Sequence, residues 1–225
     1  MTHAPVALLG GTFDPVHYGH LRFADDVRRA LGLAQVRLVP AGDPPHRAGP
    51  AASAADRLAM LKLGVREFPG LVVDERELHR AGKSYTVMTL EELRREFPQS
   101  PLLLLLGADA FRGLPDWHRW QEIFRLAHIV VVDRPGVTLA PSLAAPLLPY
   151  WRERLTEDSS VLLTRPSGSI LVQAITPREI SATTLRAELG KGSAARDLPA
   201  GLLPPAVLAY IDLHHLYDTR SDAPK

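Results

Sequence analysis

Short apolar runs punctuate the chain at Val6–Leu9, Val36–Val39, Leu71–Val73, Leu102–Leu106, Ile129–Val132 and Ile170–Val172. None alternates with polar residues, so each predicts a strand covered on both faces, as in a parallel sheet. Between the runs, apolar residues recur three and four apart. Leu21, Ala24, Val27 and Leu31 predict one helix, with Gly32 as its C-terminal cap. Leu58, Leu61, Val65 and Phe68 predict a second, opened by Ser53 and Asp56 in a variant of the capping box. Val87, Leu90, Leu93 and Phe97 predict a third, stopped by Pro98. This alternation predicts an α/β fold: a doubly wound parallel sheet with helices on both faces and right-handed crossovers.

The rhythm breaks over residues 134–168, where Pro135, Pro141, Pro146, Pro149 and Pro166 predict a surface connection. One short helix is expected there, around Tyr150–Leu155. A final helix starts at Pro204-Pro205 and turns Val207, Leu208 and Ile211 inward. No repeat or linker divides the chain. That predicts a single domain over residues 1–218 and a polar, frayed tail over 219–225.

Composition narrows the chemistry. The 225 residues are 46% hydrophobic and 23% charged, ordinary values for a globular protein. A formal net charge of +1 gives no general attraction to nucleic acid or to a membrane surface, so neither is an expected partner. An anionic ligand would have to be held by a local cluster. The absence of cysteine excludes disulfides, thiol catalysis and thiolate metal sites, and it fits a cytoplasmic location. Residues 1–9 do not have a signal-peptide pattern, and the leucine run at 102–106 is far below spanning length.

In doubly wound sheets ligands bind beyond the carboxyl ends of the strands. Four predicted strands lead into polar or glycine-rich segments: Gly10–His20, Pro40–Arg47, Gly107–Asp109 and Arg134–Gly136. Gly10 and Gly11 let a phosphate approach main-chain atoms that a Cβ would screen. A helix starting near His20 aims free N–H groups and its positive dipole end at the same place. His17 and His20 add ring donors, with Gly19 removing bulk between them. Alone, the two histidines could simply cap a helix. Ile180-Ser-Ala-Thr-Thr-Leu-Arg186 forms a second cluster. Ser181 is a natural N-cap, Thr183 faces the first turn, and Arg186 can lean back over it. In isolation this reads equally as a capped surface helix with a solvated arginine. Other groups have plainer readings. Asp25-Asp26 and Arg28-Arg29 read as a solvated helix face, and Asp14-Pro15 as a turn. Glu75, Arg76 and Glu77 read as sheet-edge ion pairs mixed with support for a substrate loop. His214 and His215 project about 100° apart on a helix and read as surface residues.

Gly11-Thr-Phe-Asp-Pro-Val-His-Tyr-Gly-His20 and Ile180-Ser-Ala-Thr183, with Arg186, together resemble the nucleotidyltransferase superfamily that carries a His-x-Gly-His signature. Within it the chain is most similar to the bacterial nicotinate-nucleotide adenylyltransferases. Pro44-Pro-His-Arg47, Asp74–Leu78, Ser84-Tyr-Thr86, Gly107-Ala-Asp109, the Trp117 region and Arg134-Pro-Gly136 extend the likeness. It runs from about residue 6 to 217 and is weakest over 137–168. His118 stands where the family often has tyrosine.

The resemblance implies a Rossmann-like nucleotidyltransferase fold and transfer of AMP from ATP to nicotinate mononucleotide, a step of NAD biosynthesis. It assigns catalytic roles to His17, His20 and Arg186. ATP would meet Gly10, Gly11, Thr12, Phe13, His17, His20, His46, Gly107, Asp109, Arg134, Ile180, Ser181, Thr183 and Arg186. The mononucleotide would meet Ser84, Tyr85, Thr86, Trp117 and His118. Four of these residues keep a second reading. His46 is a phosphate ligand or a loop residue fixed between prolines. Asp109 is a ribose acceptor, a helix N-cap, or both. Arg134 reaches a phosphate or pairs on the surface. Trp117 stacks on the pyridine ring or fills the core, as Trp120 is expected to do. No side-chain metal site is implied, and Mg²⁺ would be held mainly by the ATP phosphates.

The chemistry suits such residues. The attacking phosphate oxygen is already anionic, so no general base or covalent nucleophile is needed. Placement and charge neutralisation remain. Two readings compete. One is the same chemistry on nicotinamide mononucleotide or another phosphate acceptor. The other is a non-catalytic nucleotide-binding protein. A dinucleotide oxidoreductase is disfavoured, because Gly10-Gly11 does not complete Gly-x-Gly-x-x-Gly.

Overall fold

The computed structural model describes residues 3–44, 49–133, 139–175, 180–191 and 198–218. The predicted tail at 219–225 lies outside them. Seven strands form one sheet: β1 (Val6–Gly11), β2 (Val36–Pro40), β3 (Leu71–Val73), β4 (Leu102–Gly107), β5 (His128–Asp133), β6 (Leu155–Thr156) and β7 (Ile170–Ala174). Their order is β3-β2-β1-β4-β5-β7-β6, and every pair is parallel. All six apolar runs became strands. The seventh, β6, has two residues, too short to leave a periodic signal.

Ten helices connect the strands in the described residues: α1 (Tyr18–Ala30), α2 (Ala54–Gly64), α3 (Arg76–His79), α4 (Thr86–Glu96), α5 (Ala108–Arg112), α6 (Trp120–Leu126), α7 (Leu148–Arg154), α8 (Val161–Thr164), α9 (Ala182–Leu189) and α10 (Pro205–Leu213). The leucine strand explains why they cover both faces. Leu103 and Leu105 point into a core built with α1, α2, α9 and α10. Leu102, Leu104 and Leu106 point into a second core with α4, α5, α6 and α7. Side chains alternate across a strand, so a run apolar at every position must be covered twice.

The chain winds outward from β1 to β3, returns to β4, and then winds the other way. The crevice between the β1 and β4 exits is therefore the topological switch point. Two local expectations are corrected. The buried side of α2 is Arg57, Met60, Leu61 and Gly64, with Leu58 only half-buried, and Val65 lies in a following 3₁₀ turn. The face is rotated because Arg57 is drawn inward by backbone carbonyls and Gly64 lets Leu21 of α1 pack at 3.3 Å from where a Cβ would sit. The charged face of α1 is also not simply solvated. Asp25 is buried and pairs with Arg28 at 2.8 Å and Arg29 at 2.7 Å, while Arg28 also donates to the Leu33 carbonyl.

Candidate active site

A cavity of about 730 Å³ opens at the switch point. One end is built from the β1 exit and α9: Gly10, Gly11, Thr12, Phe13, His20, Thr183 and Arg186 all line it. A Cβ on Gly10 would meet nothing within 4 Å, so this glycine leaves an open floor. A Cβ on Gly11 would press on the Phe13 ring at 3.1 Å, and that ring stands edge-on to His20 with centroids 5.1 Å apart.

The two imidazoles stack, with centroids 3.7 Å apart and planes 23° from parallel. His20 lines the cavity; His17 lies beneath it, 4% exposed, and does not. Gly19 makes the stack possible, because a Cβ there would sit 2.8 Å from His17 Nδ1. The Nδ1 atoms of both rings are buried without a hydrogen-bond partner among the described residues. Burial pushes His17 down to about 4. Burial, and then the proximity of His17, holds His20 well below the usual imidazole range. Both rings are therefore neutral at pH 7 in the free protein.

That burial carries a stability consequence. In the unfolded chain His17 titrates near pH 6.5, in the fold near 4. The native state binds the proton more weakly, so stability is full above pH 6.5 and falls as pH drops towards 4. The loss is on the order of 3 kcal/mol for His17 alone. Urea unfolding at pH 7 and pH 4.5 measures it, and His17→Gln should flatten the difference. An identical pH dependence in both proteins would mean the ring is not held uncharged.

Arg186 leans back over the first turn of α9. Its Nη1 donates to the Asp14 carbonyl at 2.7 Å, and Nη2 reaches Thr183 Oγ1 at 3.4 Å. Ser181 caps this helix by accepting from the Thr184 N–H, and it does not line the cavity. Ile180 packs beside Gly19 instead. Asp14 is a buried hub. Its carboxylate accepts from the Ala51 and Ala52 N–H groups and from the Tyr217 hydroxyl at 2.7 Å.

The other end is formed by Glu77, Ser84, Tyr85, Thr86, Trp117 and His118. Thr86 opens α4, whose first-turn N–H groups have no partners within the helix. Trp117 follows a 3₁₀ turn at Leu114–Asp116 and stays half-exposed, whereas Trp120 is buried in the core. The His118 and Tyr85 rings lie 4.4 Å apart. Ser84 has a role the sequence did not reveal. Its Oγ accepts from the Gly42 N–H at 2.9 Å and the Asp43 N–H at 3.2 Å, and its hydroxyl hydrogen-bonds to Glu77. Glu77 is buried, accepts from Thr89 Oγ1 at 2.6 Å, and is raised above the usual carboxylate range by that burial.

Gly107 and Asp109, expected at the ATP site, sit away from the cavity lining, as His17, Ile180 and Ser181 do. Gly107, not Asp109, occupies the N-cap of α5, so the capping alternative is corrected. Asp109 is fully exposed in the first turn and pairs with Arg112 at 2.7 Å, because the helix start carries it outward. His46 and Arg134 lie outside the described residues. Sequence reasoning missed Arg57, Gly42 and Tyr217. For Arg57 a signal existed: a charged residue at helical spacing from Met60 and Leu61. Among the described residues no cluster of three or more histidines or carboxylates could hold a metal ion, and no helix is long and apolar enough to cross a membrane.

A family model described as cytidylyltransferase-like matches residues 8–188. A Halorhodospira halophila protein named as a probable nicotinate-nucleotide adenylyltransferase is 49% identical over 202 residues, covering 90% of each chain. A Laribacter hongkongensis protein of the same name is 48% identical over 222 residues, covering 97% of this chain and 96% of its own. The chain belongs to the nicotinate-nucleotide adenylyltransferase family. The fold is shared more widely in that family. The Plasmodium falciparum nicotinic acid mononucleotide adenylyltransferase, solved in complex with NaAD, superposes with a TM-score of 0.70 at 16% identity, over 96% of this chain and 98% of its own.

Proposed function

We propose that the protein transfers AMP from ATP to nicotinate mononucleotide, releasing pyrophosphate and forming deamido-NAD in NAD biosynthesis. One observation carries this reading: a glycine, histidine and arginine end and an aromatic, helix-start end share a single cavity at the switch point. The first end suits a triphosphate. Gly10 leaves room for it, His20 presents a ring donor, and Arg186 and Thr183 supply donors from α9. The second end suits a pyridine carboxylate. Trp117 offers a face for the ring, and the N–H groups at the start of α4 can receive an anion. Ser84 serves this end indirectly, since its hydroxyl is already engaged.

The reaction needs no base, because a phosphate oxygen attacks the α-phosphorus in line with departing pyrophosphate. The protein's task is to hold both polyanions and to meet the charge that grows on the leaving group. His20 lines the triphosphate end and suits that contact, with His17 supporting it through the stacked rings. A triphosphate beside neutral imidazoles would also favour their protonation, adding positive charge where it is wanted. Mg²⁺ would travel with the phosphates. Of the two carboxylates lining the cavity, Asp14 already accepts three hydrogen bonds and Glu77 accepts from Thr89, so the side chains offer no cage. We place the activity in the cytoplasm, where ATP is supplied.

The test is pyrophosphate release from ATP with each acceptor. Nicotinate mononucleotide should give a kcat/KM at least about tenfold above nicotinamide mononucleotide, the usual reach of one charge-assisted recognition contact. Equal values would reject the acid acceptor. Binding of ATP with no turnover on any mononucleotide would reject the enzyme reading.

A further inference from the structure

We propose that Arg57 is a positioning residue for the triphosphate: from behind the β1 exit it holds the Thr12–Phe13 peptide with its carbonyl turned inward and its N–H turned towards the cavity. The proposal rests on the ATP half of the function above and not on the identity of the acceptor.

Arg57 sits on α2 with 1% of its surface exposed. It makes no ion pair among the described residues. Its Nη1 donates to the Thr12 carbonyl at 2.8 Å, its Nη2 reaches the Gly42 carbonyl at 3.4 Å, and its Nε has no partner among the described residues. A buried cation without a bonded counter-ion is costly, and an aliphatic residue of similar size would serve packing alone at least as well. Thr12 and Phe13 line the cavity while Arg57 does not, so the guanidinium lies behind the loop.

The peptide geometry gives this contact its meaning. Among the described residues only Asp14–Pro15 is cis, so the Thr12–Phe13 peptide is trans and its C=O and N–H point in opposite directions. Holding the carbonyl on Arg57 therefore turns the Phe13 N–H away from Arg57, to the cavity side. Phe13 is also held at φ +51, a left-handed conformation that a bulky side chain adopts only when its surroundings impose it. A relaxed loop could rotate this peptide and offer a carbonyl oxygen to the phosphates. Arg57 blocks that rotation and at the same time ties the β1 exit to the β2 exit at Gly42. Arg186 does a similar service two residues on, by binding the Asp14 carbonyl.

The experiment compares wild type, Arg57→Met and Arg57→Lys, each checked for folding by its thermal transition. Affinities for adenosine and for ATP are measured by calorimetry or ligand-observed NMR, with no acceptor present. Arg57→Met should weaken ATP by about tenfold or more while changing adenosine by less than twofold. Arg57→Lys, which keeps the charge but cannot fork between two carbonyls, should recover only part of the loss. Equal weakening of both ligands, or full ATP affinity in a folded Arg57→Met protein, would overturn the proposal. Should Arg57→Met fail to fold, Arg57→Lys alone decides it: an ATP-to-adenosine affinity ratio equal to wild type would refute the positioning role. A wild type that binds ATP but never turns over would sink the proposed function and leave this test intact.

Discussion

His20→Ala is expected to lower kcat by about 10²–10³-fold, the usual cost of removing one preorganised donor from a site of developing charge. The fold should survive, because His20 fronts the cavity and the apolar residues of α1 face the core independently of it. The geometry separates two ways of losing activity. If the ring contacts the triphosphate equally in ground and transition states, KM for ATP rises and kcat holds. If it meets charge that appears only as pyrophosphate departs, kcat and kcat/KM fall together. We expect the second pattern. A structural readout accompanies it. Removing His20 opens the covering of His17 and relieves part of its burial, so the His17 ring should titrate above its present value of about 4. NMR of the imidazole protons follows that shift. Unchanged turnover in the alanine protein would take His20 out of the mechanism.

The same pair of rings marks the boundary of what the sequence could disclose. Apolar runs without polar alternation define buried parallel strands, so the sheet was legible down to its six longer members. The helix stripes and the caps at Gly32 and Ser53 were legible for the same reason: local chemistry dictates them. The convergence of β1, α1 and α9 on one cavity followed from the rule that strand exits gather at the switch point. What the chain could not disclose is how a residue's own backbone is held. Ser84 reads as a residue that meets the mononucleotide, yet its hydroxyl is committed between Gly42 and Glu77, residues 42 and 7 positions away. Asp14 reads as a turn, yet it accepts from Tyr217 across the whole chain. Arg57 broke an otherwise apolar stripe, and only the loop carbonyls above it explain why. These are contacts between loops from different strands, and no periodicity encodes them.

Gly42→Ala brings those loop contacts to a measurement. A Cβ at this position would press directly on the main-chain carbonyl of Glu77, with Ser84 Oγ also within 3.5 Å. Neither neighbour is the flexible end of a long side chain, so the backbone of the β2 exit or of α3 has to move. Overpacking of this kind costs about 1–3 kcal/mol. For a domain of this size that lowers Tm by roughly 3–10 °C. The displacement also strains the hydrogen bond from the Gly42 N–H to Ser84 and the contact from Arg57 to the Gly42 carbonyl, so both ends of the cavity loosen together. KM should rise for ATP and for the mononucleotide alike. Gly10→Ala supplies the contrast. Its Cβ would meet nothing within 4 Å, so Tm should stay within about 1 °C, while the methyl group intrudes on the cavity floor and weakens ATP alone. Stability and affinity would then separate at two glycines of the same cavity, one fixing the walls and one keeping the space between them open. A Gly42→Ala protein with wild-type Tm and unaltered KM for both substrates would show that the two loops are not held in the register described.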